Sequence, residues 1–194
     1  KDESARIGAY LKTLKPEAWS TKSVCDAWEV QDVVAHLTGA VERFGPNIVR
    51  GAEGDSSAPD GMPQAGVGDM AARLRANAQV AIDYRESLGS GLLATYNDGR
   101  LKFDEFLSGL QDADRDKPCY HPGSIVPAAN FVDLRFKEVA LHQWDIRSGL
   151  EGDASLSPDS LPSMVILITQ SFASGSLRWA FWPGSPAGRR VGKA

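Results

Sequence analysis

Between Phe131 and Gly149 the sequence runs Phe-Val-Asp-Leu-Arg-Phe-Lys-Glu-Val-Ala-Leu-His-Gln-Trp-Asp-Ile-Arg-Ser-Gly. Wound at about 100° per residue, it brings Arg135, Glu138, His142 and Asp145 onto one stripe, with Phe131, Leu134, Leu141 and Ile146 along or beside it. A solvated helix keeps its charges opposite its apolar residues. Charges set within the apolar stripe imply a helix whose inward face lines a polar cavity, since unpaired charge in a dry core is too costly. Glu138 and His142 stand four residues apart, close enough for a carboxylate oxygen and an imidazole nitrogen to share one metal ion. A third ligand must come from elsewhere, and the other histidines are His36 and His121.

Composition narrows the partners. The chain has 194 residues, 42% hydrophobic and 24% charged, enough for one well-buried domain. A net charge of -4 without a Lys/Arg cluster argues against a nucleic-acid surface or a polybasic membrane anchor, and points to a small-molecule or protein partner. The longest apolar run, around Met164 to Ile168, is far short of the roughly 20 residues that span a bilayer. Two cysteines, Cys25 and Cys119, without a C-x-x-C pair, give neither a disulfide framework nor a zinc knuckle, so a cytoplasmic protein is expected.

The periodicity predicts helices. Ile7, Tyr10, Leu11 and Leu14 form a short one before Pro16. Val30, Val33, Val34, Leu37, Val41, Phe44 and Ile48 give one continuous apolar face from Val30 to about Arg50, with His36 on its flank and Pro46 as a kink site. Residues 51 to 68 have the composition of a long flexible loop. A third helix is predicted over Asp69 to Leu88, with Met70, Leu74, Ala78, Ala81 and Leu88 inward and Arg73, Asn77 and Arg85 as polar cavity groups. A fourth follows Gly89-Ser90-Gly91 and reaches about Gln111, with Asn97-Asp98-Gly99 a point of interruption. After the organising helix, Ser157 and Pro158 read as the N-cap and first turn of a last helix toward Trp179. No stretch sustains period-2 alternation, so the expected architecture is all-α, a bundle of four main helices with an extra short one. The domain is expected over residues 1–182, with 183–194 a tail or a linker to a missing C-terminal domain.

Two pieces carry a resemblance: Ala27-Trp-Glu-Val-Gln-Asp-Val-Val-Ala-His36-Leu37 and Glu138-Val-Ala-Leu-His142-Gln-Trp-Asp145. In their order and spacing they resemble the mycothiol-dependent maleylpyruvate isomerase family, within the DinB/YfiT-like superfamily of metal-binding four-helix bundles. The resemblance implies that His36, Glu138 and His142 hold one divalent metal, usually zinc, with open positions for water or a thiolate. It implies a bacterial enzyme in which the metal activates a low-molecular-weight thiol such as mycothiol for isomerisation or transfer on a small electrophilic substrate. Two imidazoles and a carboxylate with a position left open are the catalytic form of a zinc site. The isomerase also has a smaller C-terminal domain, whereas only a tail from Gly184 follows here.

Other readings stay open. Asp145 can orient His142 or pair with Arg135 or Arg147, and Arg135 can anchor a substrate carboxylate or compensate Glu138. Cys119 and His121 are a weaker nucleophile pair, and Tyr84, Tyr96 and Tyr120 are better read as packing groups than as cavity hydroxyls. A metal-activated hydrolase or lyase, and a non-catalytic metal-binding or regulatory module, compete with the thiol enzyme on the same scaffold. Bundles of this kind often pair, so a homodimer is a candidate assembly.

Overall fold

The computed structural model describes residues 2–25 and 28–173, leaving aside the side chains of residues 70, 71, 73, 74 and 171–173. The tail and the reach of the last helix toward Trp179 lie outside the described residues, as do the side chains expected inward or polar at Met70, Leu74 and Arg73. Six α-helices are described: α1 Asp2–Leu11, α2 Val30–Ala52, α3 Met70–Leu88, α4 Leu92–Ser108, α5 Asn130–Leu150 and α6 Leu161–Ala173. Between α4 and α5 stands an antiparallel hairpin, β1 Pro118–His121 and β2 Ser124–Pro127. The fold is thus mostly helical, roughly as expected of an all-α chain, with the small hairpin as an addition the sequence reading did not contain. Strands of four residues, each with a proline at its outer end, are too short to display period 2.

The chain divides into two compact units, Val34–Phe136 and Asp2–Val33 with Lys137 onward.

In the first unit, Val41, Phe44 and Ile48 from α2, Phe103 from α4, Cys119 from β1 and Phe131 from α5 form one buried cluster. Phe44 meets the edge of Phe131 at 5.2 Å between ring centroids, a favourable aromatic geometry. Gly51 permits the hairpin to approach α2. A Cβ there would collide with Cys119 Sγ and lie 2.7 Å from the Pro118 carbonyl oxygen. The hairpin also fastens the long loop, through Tyr120 Oη donating to the Pro63 carbonyl at 2.7 Å and Gly66 N–H donating to that of Pro122 at 3.0 Å. Helix α2 continues past Pro46 to Ala52. Helix α4 runs through Asn97-Asp98-Gly99, where Asn97 bonds within its own helix to the Leu93 carbonyl and to Arg100.

In the second unit, Ile7 and Leu11 of α1, Trp28, Val30 and Val33, Val139 and Ile146 of α5, and Met164 of α6 are all buried. Ser157 to Ser160 form a turn, so α6 begins at Leu161, three residues after the proline expected to open it. Glu3 receives both Ser160 Oγ and Arg6. No helix among the described residues is long and apolar enough to cross a membrane.

Candidate metal centre

The stripe on α5 is turned inward. Arg135 is 4% and His142 8% exposed, while Glu138 and Asp145 are half-buried. Phe131 and Ile146 are fully buried beside them, whereas Leu141, expected along the stripe, is exposed, and Gln143 on another face is buried.

His142 is engaged at both edges of its ring. Nδ1 lies 2.8 Å from Asp145 Oδ2, three residues on, and Nε2 lies 3.5 Å from Glu138 Oε2, four residues back. The α-helical repeat puts both carboxylates on the face of the imidazole. Trp28 covers the ring at 6.0 Å between centroids. Burial alone would lower the basicity of this imidazole. Hydrogen bonding to Asp145, to Cys25 and to Glu138 outweighs that cost, and holds its pKa well above the ordinary histidine value.

Cys25 is brought to the same ring by a tight turn, a contact the sequence reading missed. Its backbone N–H donates to Ser23 Oγ at 3.1 Å, and its carbonyl accepts from Trp28 N–H at 2.8 Å. Val24 N–H reaches the Asp145 carbonyl at 3.4 Å, tying the turn to α5. Gly149 makes room for this packing, since a Cβ there would run into the Lys22 carbonyl and lie 3.0 Å from Ser23 Cα. Burial pushes the Cys25 thiol pKa up, partly offset by His142.

His36 is half-buried on α2, one turn past Val33. It shares a recess with Gly39 and Arg43 of α2 and with Asn77, Ala81 and Tyr84 of α3. Gly39 leaves the space that Arg43 and the Tyr84 ring occupy, because its Cβ would come within 3.1 Å of an Arg43 nitrogen. Burial and a 2.6 Å hydrogen bond donated to Glu42 push Tyr84 up to about 12.

Within the second unit, one potential ligand atom from each of Cys25, His142 and Asp145 falls within 4.8 Å of the other two. Asp145 is paired with His142, while Arg147 makes a two-pronged ion pair with Glu151. Arg135 directs one guanidinium nitrogen to the Leu37 carbonyl at 3.5 Å, beside His36 in the chain. Tyr96 is buried at the same guanidinium, and Arg135 and Arg100 partly counter the upward shift that burial gives its hydroxyl. Cys119 and His121 instead point into the first unit's aromatic core. The Cys119 thiol lies 3.4 Å from the Lys117 carbonyl, and His121 packs against both Phe44 and Phe131 while Gly123 N–H donates to its Nδ1.

Fold and site together define a largely helical protein in which a buried histidine stands between two carboxylates of its own helix. Compared with known families, residues 1–147 match the mycothiol maleylpyruvate isomerase N-terminal domain, and the chain belongs to that family. Searches of curated proteins and of solved structures give no significant match.

Proposed function

We propose that His36, Glu138 and His142 hold one divalent metal ion, zinc foremost, and that the chain is a thiol-using isomerase or transferase acting on a small electrophilic substrate. The observation that carries this reading is Glu138 Oε2 lying 3.5 Å from the His142 Nε2 it would share an ion with, and His36 joins them through the family motif it stands in. Two neutral imidazoles and one carboxylate suit a zinc-class ion and leave a coordination position open. When bound, such an ion supplies Lewis acidity that lowers the pKa of a water or thiol at the open position.

The chain's own residues do the rest. With an ion held, His142 would give up its second ring proton, keep the one on Nδ1 directed to Asp145, and present the Nε2 lone pair toward the Glu138 side. Glu138 adds the negative charge that a divalent cation requires. Trp28, itself fully buried, packs beside the imidazole at 6.0 Å between ring centroids. Arg135, held on the Leu37 carbonyl, is assigned to positioning, because it fixes the backbone next to His36.

Mycothiol enters through the family, whose name links the domain to that thiol and to maleylpyruvate. The same proposal takes α2 to α5, of 23, 19, 17 and 21 residues, as the four long members of a DinB-like bundle, in a cytoplasmic protein that can form a homodimer. The test is turnover of maleylpyruvate with and without a low-molecular-weight thiol, in wild type and His142→Ala, with circular dichroism on both. Thiol-dependent turnover lost in a folded variant is the expected result. Turnover that persists without thiol would replace this reading with a metal-activated hydrolase or lyase, and unfolding of the variant on loss of metal would replace it with a structural site.

A further inference from the structure

His142 has a second edge. Cys25 Sγ, a nitrogen of His142 and a carboxylate oxygen of Asp145 fall within 4.8 Å of one another, and the Nδ1 to Oδ2 distance is 2.8 Å. This group differs in kind from the one containing His36 and Glu138, because it contains sulfur. Thiolate donors select soft ions such as copper(I), cadmium and zinc over hard ones. The sulfur is not adventitiously near: Cys25 is 1% exposed, and its turn is fastened at Ser23, at Trp28 and through Val24 to Asp145.

We propose that Cys25, His142 and Asp145 form a second ion-binding face, selective for thiophilic cations. Binding forms a metal–sulfur bond and a metal–Nδ1 bond, and releases to solvent the Cys25 thiol proton and the Nδ1 proton of the imidazolium, as ligation by cysteine and histidine requires. It also engages His142 through Nδ1, the edge that Asp145 faces. A neutral imidazole offers one lone pair, so a cation on Nδ1 leaves the remaining proton on Nε2, where it faces Glu138. The two ion-binding faces therefore exclude each other. A soft cation at Cys25 disables the proposed catalytic site without touching His36 or Glu138. The exclusion rests on the proposed metal site, but the Cys25 face stands without it.

The chain offers a clean assay, because it has two cysteines and the other one, Cys119, belongs to no ligand group among the described residues. Metal-free protein is titrated with cadmium and the ultraviolet thiolate-to-cadmium charge-transfer band recorded. The band is expected to saturate at one equivalent in wild type, in Cys119→Ser and in His36→Ala/Glu138→Gln. It should vanish in Cys25→Ser, whose fold is checked by circular dichroism, and require several-fold more cadmium in Asp145→Asn. In protein preloaded with zinc, the band should grow in step with zinc release. The cadmium-113 resonance of the wild type gives a second readout, since a sulfur ligand moves it far downfield even if the serine variant fails to fold. No band in wild type, or an equal band in Cys25→Ser, overturns the proposal. A band that disappears with His36 and Glu138 does the same, by locating the ion on the other edge. Retention of the band in the His36→Ala/Glu138→Gln variant without metal at the first site separates the two readings.

Discussion

His142 Nδ1 lies 2.8 Å from Asp145 Oδ2, one helical turn further along α5. A carboxylate on one imidazole nitrogen fixes the tautomer and raises the donor strength of the other. Asp145→Ala should therefore weaken metal binding by about 10- to 100-fold while leaving the fold intact. Asp145→Asn should recover part of the loss, since its amide oxygen still accepts a hydrogen bond from Nδ1–H. Chelator competition measures both. Wild-type affinity in the alanine variant would remove Asp145 from the site.

Gly149 is required by a close approach and not by backbone conformation. A Cβ there would enter the Lys22 carbonyl, whose turn carries Cys25. Overpacking of this kind costs about 1–3 kcal/mol. Gly149→Ala should lower the denaturant midpoint accordingly and loosen the Cys25 turn, seen as faster reaction of Cys25 with a thiol reagent. Unchanged stability and unchanged thiol reactivity would show that α5 and the turn are not in tight contact.

Tyr84 makes a prediction in alkali. Its pKa, raised by burial and by Glu42 against the opposing charge of Arg43, stands at about 12 in the folded chain instead of 10.0. The folded state thus holds this proton more tightly than the unfolded one. The associated stability is fully present below pH 10 and is lost as pH rises through about 12. Tyr10 also rises to about 12, so the phenolate absorbance of Tyr84 is taken as wild type minus Tyr84→Phe. Glu42→Gln should bring the Tyr84 midpoint down toward, but not to, the ordinary value, because burial remains.

Much of this site is legible in the sequence because α2 and α5 carry strong helical signals. The apolar repeat from Val30 to Ile48 places α2 within two residues of its observed end, and the placement of ionisable groups among apolar ones marks α5 as facing inward. Arg135 and His142 are indeed buried. What the sequence hides is set by tertiary contact. Cys25 reaches His142 only because the Ser23 turn folds back onto α5, which no periodicity records. The hairpin escapes because four-residue strands bounded by Pro118 and Pro127 resemble a loop in composition. Asn97-Asp98-Gly99 has the chemistry of a turn, yet local side-chain bonds and the packing of Tyr96 and Phe103 keep α4 helical through it. Cys119 and His121, two apart in sequence, share one face of a strand and fill the aromatic core.

The central claim is that His36, Glu138 and His142 bind one metal ion. The most direct measurement is metal content by elemental mass spectrometry, on protein purified without chelators or added metal, for wild type and, in a Cys25→Ser background that removes the thiolate face, for His36→Ala combined with Glu138→Ala. The account predicts about one divalent ion per chain in wild type and none in a double variant that keeps its helical circular dichroism. A wild type that takes up no metal after supplementation with zinc, nickel and iron, or a double variant that retains the full complement, would contradict it.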